Sequence, residues 1–214
     1  MNNLIQRVFS ALVLAFITFG VFYLGSPYLD GYVVLFCVTL IGEWSWLCFK
    51  KSDTKLNRLN YFIPGSIYIL LASFGFWVTL STKDNQMLFL GLLILVWSSD
   101  IGAYIVGKIV GGPKLAPSIS PGKTISGAIG GLISALIIPH LALPFMPIRL
   151  WSIEALVGVA ILAQLGDLLE SWVKRRLNVK DSSGLLPGHG GLLDRLDSIL
   201  PIGVLLGILH FFNN

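Results

Sequence analysis

Residues 87–108 read MLFLGLLILVWSSDIGAYIVGK. Before Lys108 this run holds one charge, Asp100, in about 20 residues, the length a helix needs to cross a bilayer. A soluble α/β domain would keep polar faces on its helices, and this run keeps none. Six more apolar runs lie at 4–24, 31–49, 61–81, 124–144, 152–173 and 198–213. The chain therefore reads as an all-α polytopic membrane protein of about seven transmembrane helices. The first run follows Arg7 and resembles a signal peptide, but it is long enough to span and no small-residue cleavage pattern follows it, so it is kept as a helix.

Composition agrees. Of 214 residues, 55% are hydrophobic and 12% charged, with a mean hydropathy of +0.80, against about 25% charged in ordinary soluble domains. Cys37 and Cys48 lie in one apolar run, without a His or Cys at metal-ligand spacing, and read as helix packing. No low-complexity tract or convincing repeat interrupts the chain, so residues 1–214 are expected to form a single membrane domain. All but Lys83 and Arg149 of the 15 Lys and Arg residues fall at the amino terminus or in alternate loops. That bias puts the amino terminus and those loops in the cytoplasm and the carboxyl terminus outside. Residues 50–58 need no more than this topological reading.

Ionisable groups within spans are costly and face a cavity, a partner or a ligand. Glu43 is near a helix end, where pairing with Lys50 or Lys51 would satisfy it. Asp100 has no basic residue within one turn; with Tyr104 and Lys108 it follows one slowly drifting face towards the cytoplasm, as a polar site opening there requires. Asp167, Glu170, Ser171 and Lys174 share a face at i, i+3, i+4 and i+7. A Glu170–Lys174 pair leaves the deeper Asp167 for a ligand. Asp194 and Asp197 share a face before the last span. Three carboxylates at the cytoplasmic ends of two helices, near phosphate-binding groups, suit a hard divalent cation such as Mg²⁺.

Two loops look built for anions. The first, Gly111 to Gly127, contains Lys114 and Ser120-Pro121-Gly122-Lys123-Thr124 and ends where a helix should begin. Gly122 lets backbone N–H groups approach a phosphate, Lys123 adds charge, and Ser120 and Thr124 add hydroxyls beside a positive helix terminus. It is not a P-loop, since Pro117 stands where G-x-x-x-x-G-K-[ST] needs its first glycine. The second loop runs from Lys174-Arg175-Arg176 through Lys180-Asp181 to Gly188-His189-Gly190-Gly191, where His189 is placed to donate to phosphate or orient a carboxylate. His140 and His210 have no such company and read as structural.

Ser171, Lys174-Arg175, Lys180-Asp181, Pro187, His189-Gly190-Gly191, Asp194-Arg195 and Asp197 together resemble the signature of phosphatidate cytidylyltransferases, also called CDP-diacylglycerol synthases. Upstream, Asp100, Gly102-Ala103-Tyr104, Gly107-Lys108, Lys114-Leu115-Ala116-Pro117 and Ser120 to Thr124 resemble the family's other shared stretch. The resemblance covers the carboxyl-terminal half, from about residue 97; residues 1–96 match only in general character, and the chain is short for the family by about one peripheral helix.

The resemblance implies transfer of CMP from CTP to phosphatidic acid, giving CDP-diacylglycerol and pyrophosphate, with Mg²⁺ required and room for a second cation. It implies a multi-pass protein of a bacterial inner (plasma) membrane, with the bilayer as partner, no nucleic acid, and a homodimer as a compatible assembly. Asp167, Asp194 and Asp197 are expected to hold the metal, and Lys174, Arg175, Lys180, Asp181 and His189 to complete the catalytic group. Asp100, Lys108, Lys114, Ser120, Lys123, Thr124, Ser171 and Arg195 are expected to contact substrate. Phosphatidate brings its own nucleophile, so no general base is demanded. The rivals are a CTP-dependent polyprenol kinase, an ether-lipid cytidylyltransferase, and an ion-coupled transporter with Asp100 and Asp167 on its path. The long match argues against the kinase. Against the transporter stand the missing repeats and the basic loops, which it leaves unexplained.

Overall fold

A computed structural model of the chain describes residues 3–51, 55–142, 152–186 and 190–213. The elements are α1 (Asn3–Leu24), α2 (Tyr28–Lys51), α3 (Lys55–Leu80), α4 (Lys83–Ile109), β1 (Lys114–Ala116), β2 (Ser120–Thr124), α5 (Ile125–Ala142), α6 (Ile153–Arg176), α7 (Leu193–Leu196) and α8 (Leu200–Asn213). Among the described residues each apolar run falls largely on a helix. Among the described residues, Tyr28–Lys50, Arg58–Leu80 and Asn85–Ile109 are long and apolar enough to cross a membrane. Leu12–Leu24, Ile125–Leu141 and Leu200–Phe212 are shorter apolar helices.

The chain divides into two compact units, Met1–Ser81 with Val173–Asn214, and Thr82–Trp172. In the first unit Leu40, Trp44, Leu47 and Cys48 of α2 pack with Ile69 and Ala72 of α3 and with Leu177, Leu192, Leu193 and Leu200. The Trp44 ring lies where a side chain at Gly65 would stand, and its Nε1–H donates to the Phe62 carbonyl at 3.2 Å. Helices α3 and α8 meet backbone to backbone: a Cβ at Gly203 would stand 2.7 Å from the Ala72 carbonyl oxygen, and one at Gly75 would collide with the Gly203 carbonyl. Such close approach is how helices associate in lipid, where apolar area drives little. Cys48 is fully buried in this core, in keeping with a packing role. His140 and His210 make local contacts, the first to the Leu136 carbonyl and the second to the Phe74 ring.

In the second unit α4 and α5 pack through small residues. A Cβ at Gly127 would stand 2.7 Å from the Ala103 carbonyl oxygen, and one at Gly131 2.8 Å from that of Ser99. From α6, Gln164 Nε2–H reaches the Ser99 hydroxyl at 3.3 Å and the Ala128 carbonyl at 3.1 Å. The 111–124 segment, expected to be a loop in an all-α protein, contains a small antiparallel ribbon pairing Lys114 with Thr124 and Ala116 with Ser120. Its turn explains the difference: Pro117 follows Ala116, and the Ile119 N–H donates back to the Ala116 carbonyl at 3.1 Å, a tight turn for which Pro at the second position is pre-set. Gly111 and Gly112, at φ of 67° and 102°, take the chain out of α4 into this ribbon.

Candidate active site

In the second unit the ribbon, α4, α5 and α6 enclose a cavity of about 540 Å³. It is lined by Asp100, Tyr104, Lys108, Lys114, Ser120, Lys123, Thr124, Gln164 and Asp167, among others. Seven of the residues expected to hold metal or contact substrate, Asp100, Lys108, Lys114, Ser120, Lys123, Thr124 and Asp167, are thus gathered on one cavity. Lys123 Nζ–H donates to Asp167 Oδ2, with the two side chains 30% and 27% exposed, and the Ser171 hydroxyl donates to Asp167 Oδ1 at 3.3 Å. Lys108 Nζ sits 5.7 Å from the centre of the Tyr104 ring, a cation–π contact on the face that runs down from Asp100.

Thr124 lies where the ribbon becomes α5 and is buried. Its Oγ1 accepts the Gly127 N–H at 3.0 Å, the helix-capping contact of a threonine three residues ahead. A Cβ at Gly122 would meet nothing within 4 Å, so backbone is open there. Gln164 had not been singled out. A lone Gln in an apolar helix reads as packing, and only its place on the cavity gives it a site.

The first unit holds the second cluster. Helix α6 stops after Arg176 because Asn178 adopts a left-handed φ of 54°. The Val179 N–H then reaches the Lys174 carbonyl at 2.9 Å and the Asn178 N–H that of Arg175 at 3.2 Å, a Schellman stop. This leaves Lys174 on the last turn, its Nζ–H donating to Asp194 Oδ1 at 2.6 Å. Both side chains are buried, 10% and 5% exposed. Asp194 Oδ2 accepts the Ser182 N–H at 2.9 Å, the Ser182 hydroxyl at 3.0 Å and the Gly191 N–H at 2.8 Å. Asp197 Oδ1 accepts the N–H of Ser198 at 2.8 Å.

Arg175 donates to the Val179 carbonyl at 2.9 Å, while Lys180, Asp181 and Arg195 are exposed. Pro187, Gly188 and His189 lie outside the described residues. Glu43 is not paired with Lys50 as expected; Lys50 Nζ stands 5.0 Å from the centre of the Trp46 ring, and the Glu43 carboxylate is taken up by backbone amides at the start of α7. No run of sequence could signal a contact between residues that far apart.

Burial acts to raise the Asp194 carboxyl pKa, but the Lys174 ammonium and the N–H groups of Gly191 and Ser182 outweigh it and hold the group below the ordinary aspartate value. A depressed pKa gives stability above the unfolded value, near 4, and loses it as pH falls through the folded one. The melting-temperature difference between wild type and Asp194→Asn should therefore be flat from about pH 5 to pH 8 and shrink below about pH 4. A difference already shrinking near pH 6 would contradict this assignment.

Asp167 lies in one unit, and Asp194 and Asp197 in the other; each is a hard oxygen donor of the kind Mg²⁺ takes, and among the described residues no three His, Cys, Asp or Glu side chains are grouped as a metal site. Asp167 and Asp194 each hold a lysine ammonium in this structure, so a cation there would share or displace it.

The sequence pattern of the cytidylyltransferase family matches residues 4–212. Among curated proteins, the chain is 46% identical to a phosphatidate cytidylyltransferase of Staphylococcus haemolyticus, over 77% of this chain and 64% of that protein. It is 44% identical to one of Staphylococcus aureus, with the same two coverages, and 33% identical to one of Brucella suis, over 96% of this chain and 93% of that protein. The chain spans just under two thirds of the length of the staphylococcal relatives it matches.

Proposed function

The chain belongs to the cytidylyltransferase family, and from that premise we propose that it transfers CMP from CTP to phosphatidic acid, forming CDP-diacylglycerol and pyrophosphate. The observation that carries this reading is the cavity where Lys123 and Asp167 meet beside Lys108 and Lys114: cations for a polyphosphate, in a transfer that needs no protein nucleophile.

A phosphate oxygen of phosphatidate attacks the α-phosphorus of CTP. A new P–O bond forms, the bond from the α-phosphorus to the bridging oxygen breaks, and pyrophosphate leaves with the electron pair. Such transfers depend on positioning and charge neutralisation. Lys123, Lys108 and Lys114 hold phosphate oxygens by charge, Ser120 and the open backbone at Gly122 donate hydrogen bonds, and Asp100 is kept as a further contact to substrate. Ser171, Lys174, Arg175, Lys180, His189 and Arg195 are kept as further contacts to the lipid phosphate or the triphosphate, and Asp181 as a member of the catalytic group. Asp167, Asp194 and Asp197 are the carboxylates offered to Mg²⁺, which would neutralise phosphate charge. Seven spans, a cytoplasmic amino terminus and a site open to the cytoplasm complete the proposal, in a bacterial inner membrane.

The position of the label tests it. With CTP labelled at the α-phosphorus the lipid product becomes radioactive, and with CTP labelled at the γ-phosphorus the label leaves as pyrophosphate. Label passing from the γ-position to the lipid would mean a kinase.

A further inference from the structure

Glu43 lies on α2, in the half of the chain without motifs, and no step above uses it. The residue is 7% exposed. A buried carboxylate persists where donors satisfy it, and the three donors here come from one region. The Ser183 hydroxyl donates to Oε1 at 2.5 Å, the Leu192 N–H to Oε1 at 2.9 Å and the Leu193 N–H to Oε2 at 2.9 Å. These contacts alternate with those of Asp194: Ser182 goes to Asp194 and Ser183 to Glu43, Gly191 to Asp194 and the next two amides to Glu43.

The two carboxylates close on the glycines between them. A Cβ at Gly190 would stand 2.7 Å from Asp194 Oδ2. One at Gly191 would collide with the Ser182 hydroxyl and stand 2.9 Å from both Glu43 carboxylate oxygens. The turn into Asp194 is thus held from both sides, by Asp194 itself and by a residue about 150 positions earlier in the chain.

We propose that Glu43 is a positioning residue for the transfer reaction: through Ser183 and the amides of Leu192 and Leu193 it fixes the turn that sets Asp194 against Lys174. This rests on the cytidylyltransferase reading and gives α2 a part in the reaction beyond anchoring. Glutamine at this position keeps the length but turns an NH₂ group towards one of the donors.

The test compares wild type, Glu43→Gln and Ser183→Ala, purified in detergent. Glu43→Gln should lower kcat about tenfold with both KM values within about twofold, and should speed hydrogen exchange of amides 190–196 by about tenfold while α4 and α5 exchange as before. Ser183→Ala, losing one contact, should stay folded with kcat down about threefold. The proposal fails if folded Glu43→Gln keeps wild-type kcat or wild-type exchange at 190–196. Should Glu43→Gln not fold, Ser183→Ala decides: lowered kcat with faster exchange supports the proposal, and wild-type values overturn it. If wild type itself makes no CDP-diacylglycerol the functional reading fails separately, and the exchange data still show whether Glu43 holds the turn.

Discussion

Asp167→Asn should cut CMP transfer by about two to three orders of magnitude, the loss expected when a ligand of the cation that neutralises phosphate charge is removed, while the protein remains folded. The fold should survive because the Lys123–Asp167 pair is nearly a third exposed on each side, and a pair so open to solvent contributes little to stability. Lys123→Met should show the same division, a large fall in turnover with a melting temperature within a few degrees of wild type. A folded Asp167→Asn protein with more than about a tenth of wild-type turnover would remove Asp167 from the site.

Lys174→Met has the opposite signature. Its partner Asp194 is 5% exposed, and breaking a buried pair from one side strands a charge, at a cost of about 3–5 kcal/mol. The variant should melt far below wild type and show little activity for that reason. Adding Asp194→Asn should restore much of the stability, because the asparagine carries no stranded charge and its side-chain oxygen can still accept from Ser182 and Gly191. Activity should not return with it. If the double variant melts no higher than Lys174→Met, the buried pair is not what holds this turn.

The difference between the two lysines was not legible in the sequence. Each sits in a basic loop with glycines and carboxylates nearby, and only burial separates the open pair from the closed one. What the sequence did carry was local: apolar runs that became helices, and the charge and glycine pattern from Asp100 to Thr124 that lines one cavity. Asp167 was legible because a carboxylate in an apolar helix is costly enough to need a reason. Thr124 was expected at a phosphate, and its hydroxyl caps α5. The hydrogen-bonding power of threonine serves either role, so composition could not decide. Glu43 was assigned the nearest lysines, while its partners lie at Ser183, Leu192 and Leu193. Contacts of that sequence separation leave no periodicity, and the glycines at 190 and 191 have their reason in the two carboxylates beside them.

The most direct measurement is release of pyrophosphate by the purified chain in detergent, with CTP, Mg²⁺ and phosphatidic acid supplied together or singly. Pyrophosphate and CDP-diacylglycerol should appear in equal amounts only when all three are present, and neither after chelation of the metal. CDP released in place of pyrophosphate, or no lipid product from folded protein at saturating substrate, would contradict the proposed transfer.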